Sequence, residues 1–224
     1  MSKKRQCGSN KNEKHDQDIF LNWQEAEIIC KDMLHGRLET DPCNQVQISV
    51  LDACCGNGAF SKGFIKFFNN DDNILLSLAD IKKYDMLNIT VLHNYIYGNV
   101  LEINQQYDII LCNPPWAPVD NALEIYLHMQ SLLSPSGIML FIINSTFLYQ
   151  GQERANLLKY DAVKFLPRYT FEGSGKPLLD PVVIRASVDS FRNNYLHIPK
   201  SIAKVKNESC SKEKNLFSEG KDVR

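Results

Sequence analysis

Four consecutive residues, Asn113-Pro114-Pro115-Trp116, combine groups that can do chemistry, and they follow directly on the apolar run Asp108-Ile109-Ile110-Leu111-Cys112. Such a run reads as a buried strand, so the tetrad is expected where that strand ends. Each proline ring fixes φ, and Pro115 pushes Pro114 toward extended backbone, which makes a stiff turn. On that turn the Asn113 side-chain oxygen and the Pro114 carbonyl can converge on one point as two hydrogen-bond acceptors. The indole of Trp116 adds a flat face on which an aromatic ring can stack. Together these groups suit a planar amine such as the NH2 of adenine. A purely structural alternative makes the same residues a tight loop with Trp116 as packing. Position at a strand end in an open α/β sheet favours a site.

A second cluster lies upstream. Val50-Leu51-Asp52-Ala53-Cys54-Cys55-Gly56-Asn57-Gly58-Ala59-Phe60 is an apolar strand running into a turn of small residues and then into a helical pattern. Small residues let the chain turn sharply and let a ligand approach the backbone, and the following helix offers free N–H groups. Asp52, at the strand end, can bind an amine or a hydroxyl. Gly56-x-Gly58 also begins like a dinucleotide fingerprint, but Ser61 stands where that pattern needs its third glycine.

Taken as a pair, Asp-x-Cys-Cys-Gly-x-Gly-x-Phe and Asn-Pro-Pro-Trp resemble motifs I and IV of the S-adenosylmethionine-dependent amino-methyltransferases, above all small phage- and plasmid-type enzymes that methylate N6 of adenine in DNA. The resemblance implies a doubly wound, Rossmann-like class I methyltransferase fold with a seven-stranded, mostly parallel sheet. It implies a cofactor loop of Asp52, Ala53, Cys54, Gly56, Gly58 and Phe60, with Asn113 also facing the cofactor. Ser77-Leu78-Ala79-Asp80 resembles the strand whose terminal acid holds the cofactor ribose, with Ile81 against the cofactor adenine. Tyr97-Gly98-Asn99-Val100-Leu101 resembles the next strand end, where Asn99 and Val100 would lie near the adenine amine. Catalysis would rest on Asn113, Pro114, Pro115 and Trp116. Farther on, Leu166-Pro167-Arg168-Tyr169-Thr170-Phe171, then Gly173-x-Gly175-Lys176 and Val182-Val183-Ile184, resembles the distal part of the same enzymes. There Phe171 would join Trp116 in flanking the acceptor base, while its alternative is a core residue before a hairpin. Asn-Pro-Pro-aromatic turns also occur in enzymes acting on RNA bases and on protein glutamine amides, so those acceptors stay open, as does a catalytically silent cofactor-binding or partner-binding module.

These groups need strands and helices to position them. Ile48-Val50-Leu51, Ile74 to Ala79, Tyr95 to Tyr97, Asp108 to Cys112 and Ile138 to Ile143 read as strands alternating with helical segments, which predicts a doubly wound sheet. Phe20 to Leu38 reads as a helix, with Trp23, Ala26, Ile29 and Met33-Leu34 at helical spacing and Gly36 near its end. Phe20-Leu21-Asn22-Trp23 falls where the resembled family closes over the cofactor, although core packing is the better reading of Phe20 and Trp23. Asn121 to Leu133 reads as a helix ended by Ser134-Pro135-Ser136-Gly137.

A chain of 224 residues with 44% apolar content can bury one sizeable core. The expected organisation is a polar, disordered tail over residues 1–18, one catalytic domain over 19–195, and a disordered, weakly basic tail over 196–224. From His197 to Arg224 there are seven Lys or Arg against four Asp or Glu, while the whole chain carries a net charge of −1. Any contact with DNA must therefore be local. Seven scattered cysteines without C-x-x-C spacing fit free thiols in a reducing cytoplasm, and adjacent Cys54 and Cys55 fit a small-residue turn. No histidine cluster calls for a metal, and no apolar run reaches the length of a membrane span. The interval between the two motifs is filled by strands and helices and little remains after Val188. No separate recognition domain fits, so either short loops at 146–159 and 171–179 read DNA, or specificity is low, or the substrate is something other than duplex DNA.

Overall fold

A computed structural model describes residues 20–35, 47–69, 73–91, 93–116, 118–148, 157–172 and 180–188. Both expected tails lie outside the described residues, as do Gly36 and the Gly173-to-Lys176 loop. In chain order the elements are β1 (Phe20–Leu21), α1 (Trp23–Leu34), β2 (Ile48–Ala53), α2 (Ala59–Phe67), β3 (Ile74–Asp80), β4 (His93–Tyr97), β5 (Tyr107–Cys112), α3 (Val119–Ser131), β6 (Leu133–Asn144), β7 (Ala162–Phe165), β8 (Phe171–Glu172) and β9 (Pro181–Ser187).

Seven strands form one sheet in the order β4-β3-β2-β5-β6-β9-β7. All run parallel except β9, which is antiparallel to both β6 and β7. The expected seven-stranded, mostly parallel, doubly wound sheet is present. From β2 the chain moves outward to β3 and β4, then returns to lay β5 on the other side of β2, so the order reverses between β2 and β5. Open α/β sheets bind ligands at such a reversal, beyond the carboxyl ends of the strands.

Alternation along the strands divides the core into two layers. Val50, Ile109, Leu111, Leu140 and Ile142 pack with α1 and α2, whereas Leu51, Ile110, Met139, Phe141 and Ile143 pack with Tyr126 and Met129 of α3. Helices α1 and α2 meet closely at Gly63, where a Cβ would stand 2.5 Å from both the Ala26 Cβ and the Glu27 backbone nitrogen.

Two expected boundaries are corrected. Phe20 and Leu21 are not helical but pair antiparallel with Glu172 and Phe171. The helix starts at Trp23 because Asn22 caps it, its side-chain oxygen accepting from the Gln24 and Glu25 amides at 2.9 and 3.3 Å. Likewise α3 ends at Ser131, and Ser134 to Gly137 is the irregular opening of β6. Between the pairs Tyr107↔Leu133 and Ile109↔Ile138 the β6 strand advances five residues against two on β5, so the turn-forming residues are a bulge within the ladder.

Candidate functional site

Four strand ends line up along one rim. Ala53 of β2 pairs with Cys112 of β5 on one side and with Ala79 of β3 on the other, and Asp80 pairs with Tyr97 of β4. At about 4.8 Å per strand, β4 to β5 spans roughly 14 Å, enough for an elongated ligand lying across the strand ends. Asn99, Asp80, the glycine loop and the tetrad all follow these ends.

The glycine loop turns through left-handed backbone at Cys54, Gly56 and Gly58, with φ of 57°, 53° and 79°. Gly58 precedes α2 without a side-chain cap, and a Cβ there would lie 2.6 Å from Met86 Cε and 2.9 Å from Ile89 Cδ1. The ring of Phe20 lies against Gly56, where a Cβ would stand 3.2 Å from it, and Tyr84 meets Phe20 edge-on at 5.4 Å. Asn57 accepts from the Leu87 amide at 2.9 Å. The segment after β3 therefore folds back over the loop.

Two carboxylates brace the loop and the helix that follows it. Asp52 is only 1% exposed, and its Oδ2 accepts from the Ser61 hydroxyl at 2.7 Å and the Ser61 amide at 3.0 Å. Burial pushes its carboxyl up to about 7 against the pull of the Ser61 bonds, with the nearby Asp80 charge adding to the rise. Asp52 thus faces inward as a brace for the start of α2. Asp80 is 8% exposed and accepts from the Gly56 amide at 2.9 Å and the Lys82 amide at 3.0 Å, one on each oxygen. Ile81 beside it is 63% exposed. Asn99 uses its side-chain oxygen to accept from the Leu101 amide at 3.1 Å, capping the single turn Val100–Glu102. Ala53, Phe60 and Val100 are buried, so they shape the rim without opening onto it. Burial also pushes the Cys55 and Cys112 thiols up, which fits packing residues.

In the tetrad Pro114 is buried, Pro115 exposed, and Asn113 and Trp116 half-buried. Among the described residues the Asn113 side chain makes no hydrogen bond, and Trp116 Nε1 is buried without a partner. The Trp116 ring packs on the α1/α2 core layer and meets the buried Phe171 at an 86° interplanar angle, centroids 5.4 Å apart. Phe171 is a core residue, and its ring stands beside Trp116 of the tetrad.

Sequence reasoning brought Asn99, Asp80, Gly56, Gly58 and Asn113 to one rim, as found. It missed the partnership of Ser61 with Asp52, the contact of Phe20 with Gly56, and the cover supplied by Met86 and Ile89. A capping signal, Asn22 followed by Glu25, could have released Phe20 from the helix. A shallow cavity at the opposite rim, lined by Pro135, Gly137 and Arg185, holds a charge already engaged, since Arg185 donates to Asp161 at 2.6 Å and to the Met33 carbonyl at 2.7 Å.

No protein-family model matches the chain. In sequence it is similar to the mitochondrial ubiquinone biosynthesis O-methyltransferase of Saccharomyces cerevisiae, at 29% identity over 142 residues covering 56% of this chain and 45% of that protein. It is also similar to malonyl-[acyl-carrier protein] O-methyltransferase 1 of Ilyobacter polytropus, at 31% over 110 residues covering 45% and 38%. The chain spans less than half the length of these relatives. Among solved structures, the methyltransferase subunit of a type I restriction-modification system from Streptococcus thermophilus shares the fold, with a TM-score of 0.57 at 14% identity over 76% of this chain and 45% of that one.

Proposed function

We propose that this chain, which has the class I fold of the S-adenosylmethionine-dependent methyltransferase superfamily, transfers a methyl group to the N6 amine of adenine in DNA. One observation carries the reading: β2 and β5 end in register at Ala53 and Cys112, which sets the glycine loop beside the Asn-Pro-Pro-Trp tetrad.

The cofactor is S-adenosylmethionine, and the residues present fit it. Left-handed Gly56 and Gly58 turn the loop sharply at the end of β2 and set the Gly56 amide on Asp80. With one bond on each oxygen, Asp80 keeps lone pairs for two ribose hydroxyls. Ile81 lies exposed beside it for an adenine face, and Asn99 retains its NH2 for the adenine edge. Bound, the cofactor supplies an electrophilic methyl on a sulfonium sulfur.

The protein's own task is to position and polarise the acceptor. An adenine amine is a poor nucleophile because its lone pair is delocalised into the ring. Asn113 Oδ1 and the Pro114 carbonyl accept its two N–H bonds, favour a pyramidal nitrogen and free that lone pair. Both bonds strengthen as the nitrogen becomes positive, and the acidic methylated amine then gives its extra proton to water. In duplex DNA the base must first leave the stack.

Transfer to oxygen is the second reading, favoured by the names of both sequence relatives. A hydroxyl acceptor needs a base. Among the described residues, His35 caps α1, His93 begins β4 and His128 lies in the last turn of α3, all away from the rim. A carboxylate acceptor needs no base, but two hydrogen-bond acceptors would repel it. The test is transfer of labelled methyl to DNA, RNA, protein and small hydroxy- and carboxylic acids in parallel, followed by nucleoside analysis. The expected product is N6-methyladenine in DNA. Label confined to RNA or protein would overturn the DNA acceptor, and label on oxygen would overturn the amine chemistry.

A further inference from the structure

On sequence alone Trp116 is the stacking surface for the acceptor, yet much of its surface is already engaged. The ring packs on the core, Phe171 stands nearly perpendicular to it at 5.4 Å, and Nε1 is sealed from solvent. The same wall carries a second aromatic in the opposite condition. Residues Arg168–Thr170 form one tight turn whose end is fixed by two backbone bonds. The Thr170 amide donates to the Pro167 carbonyl at 3.0 Å, and the Thr170 carbonyl accepts from the Asn22 amide at 2.7 Å. Thr170 and Phe171 are both buried. Between these anchors and the solvent, Tyr169 is 68% exposed, the most exposed large apolar side chain among the described residues.

An aromatic ring held in water by a rigid backbone loses little conformational entropy when a partner stacks on it. Tyr169 lies two residues from Phe171, the ring that meets Trp116 of the tetrad, and its turn is tied to Asn22, two residues from the Phe20 that covers Gly56. We infer that Tyr169 supplies the acceptor-stacking face of this site, with Trp116 and Phe171 forming the fixed wall behind it. The inference rests on the nucleic-acid reading above and deepens it, since a planar base is the acceptor such a face would take.

The experiment compares Tyr169→Ala, Tyr169→Phe and, as a control for loss of an exposed aromatic elsewhere, Phe165→Ala on the β7 edge. The Ala variant is expected to raise the KM for DNA by about 5- to 150-fold, the range of one lost base–aromatic stack. Its turnover at saturating DNA, cofactor affinity and melting temperature should match the wild type, and the Phe variant and the Phe165 control should behave as wild type. 2-Aminopurine at the target position should be quenched by the wild type and the Phe variant and stay bright with Tyr169→Ala. An unchanged KM and unchanged quenching in Tyr169→Ala overturn the inference while leaving methyl transfer to DNA intact. A loss of melting temperature equal to the loss of binding overturns it as well, because the ring would then be structural. If the wild type methylates neither DNA nor RNA, the nucleic-acid reading fails and this inference fails with it.

Discussion

The loops after β2 and β5 leave neighbouring strand ends, yet they reach their shapes by different means. Residues 54–58 are held by hydrogen bonds: Gly56 on Asp80, Cys55 on the Ala79 carbonyl at 3.0 Å, Gly58 on the Cys55 carbonyl at 2.8 Å, and Leu87 on Asn57. Residues 113–116 are stiffened by two proline rings, and among the described residues the Asn113 side chain and the Trp116 nitrogen have no hydrogen-bond partner. A loop shaped by its own bonds keeps its geometry as a ligand comes and goes. A loop shaped by covalent rings leaves the Asn113 amide for whatever docks there. The first should therefore couple ligand affinity to stability, while the second should affect turnover alone.

The sharpest way to break this contrast is Asn113→Ala. Turnover should fall by about 10²- to 10³-fold, the range for losing one preorganised group that acts in the transition state. Cofactor affinity by calorimetry and the melting temperature should stay at wild-type values, and a marked drop in either would make Asn113 a structural brace like its neighbours across the rim. Asp80→Ala should do the reverse. Losing two bonds to a carboxylate costs about 1–3 kcal/mol, so cofactor affinity should weaken and the melting temperature should fall together, by about 2–4 °C per kcal/mol. Weaker binding with no loss of stability would show that Asp80 does not hold the loop.

Gly58→Ala should cost about 1–2 kcal/mol in chemical denaturation, because a φ of 79° forces a Cβ into left-handed strain. The side-chain ends of Met86 and Ile89 can yield, so an unchanged midpoint would mean that the turn relaxes into another conformation. Asp52→Asn should act through the pH dependence of stability. The folded Asp52 carboxyl titrates near 7 against 3.8 when unfolded, so the folded state binds the extra proton between those values. Its stabilising contribution is full below about pH 3.8, falls as pH rises toward 7 and is flat above. Replacing it with Asn should flatten that decline by about 1.4 kcal/mol for each pH unit of the window. Thermal melts at pH 4, 6 and 8 with an unchanged slope would mean that Asp52 is not the group responsible.

The parts of the site that repeat a simple pattern were legible in the sequence. Apolar runs ending in Asp52, Asp80 and Cys112 mark strands by composition alone, and strand ends in a doubly wound sheet share a rim. The glycine loop and the tetrad could be placed from residue types whose backbone geometry is restricted. What stayed hidden depends on contacts across the chain. Ser61 reads as a missing glycine until Asp52 is seen to accept both of its donors. Met86 and Ile89 lie in a stretch without regular secondary structure, so no periodicity marks them as the cover of Gly58. Phe20 falls in phase with the apolar face of α1 and reads as its first turn, although a two-residue pairing with β8 takes it.

That pairing has a consequence for the order in which the molecule is made. Leu21 meets Phe171, and at about 5–20 residues per second the ribosome needs roughly 8–30 s to deliver the partner. Throughout that interval Phe20 and Leu21 wait as an apolar end without its strand, while the segment they join is still unmade. The wall that sets Phe171 against Trp116 is thus among the last parts of the described fold to close, and a nascent chain stalled before residue 171 would carry the glycine loop and the tetrad without it.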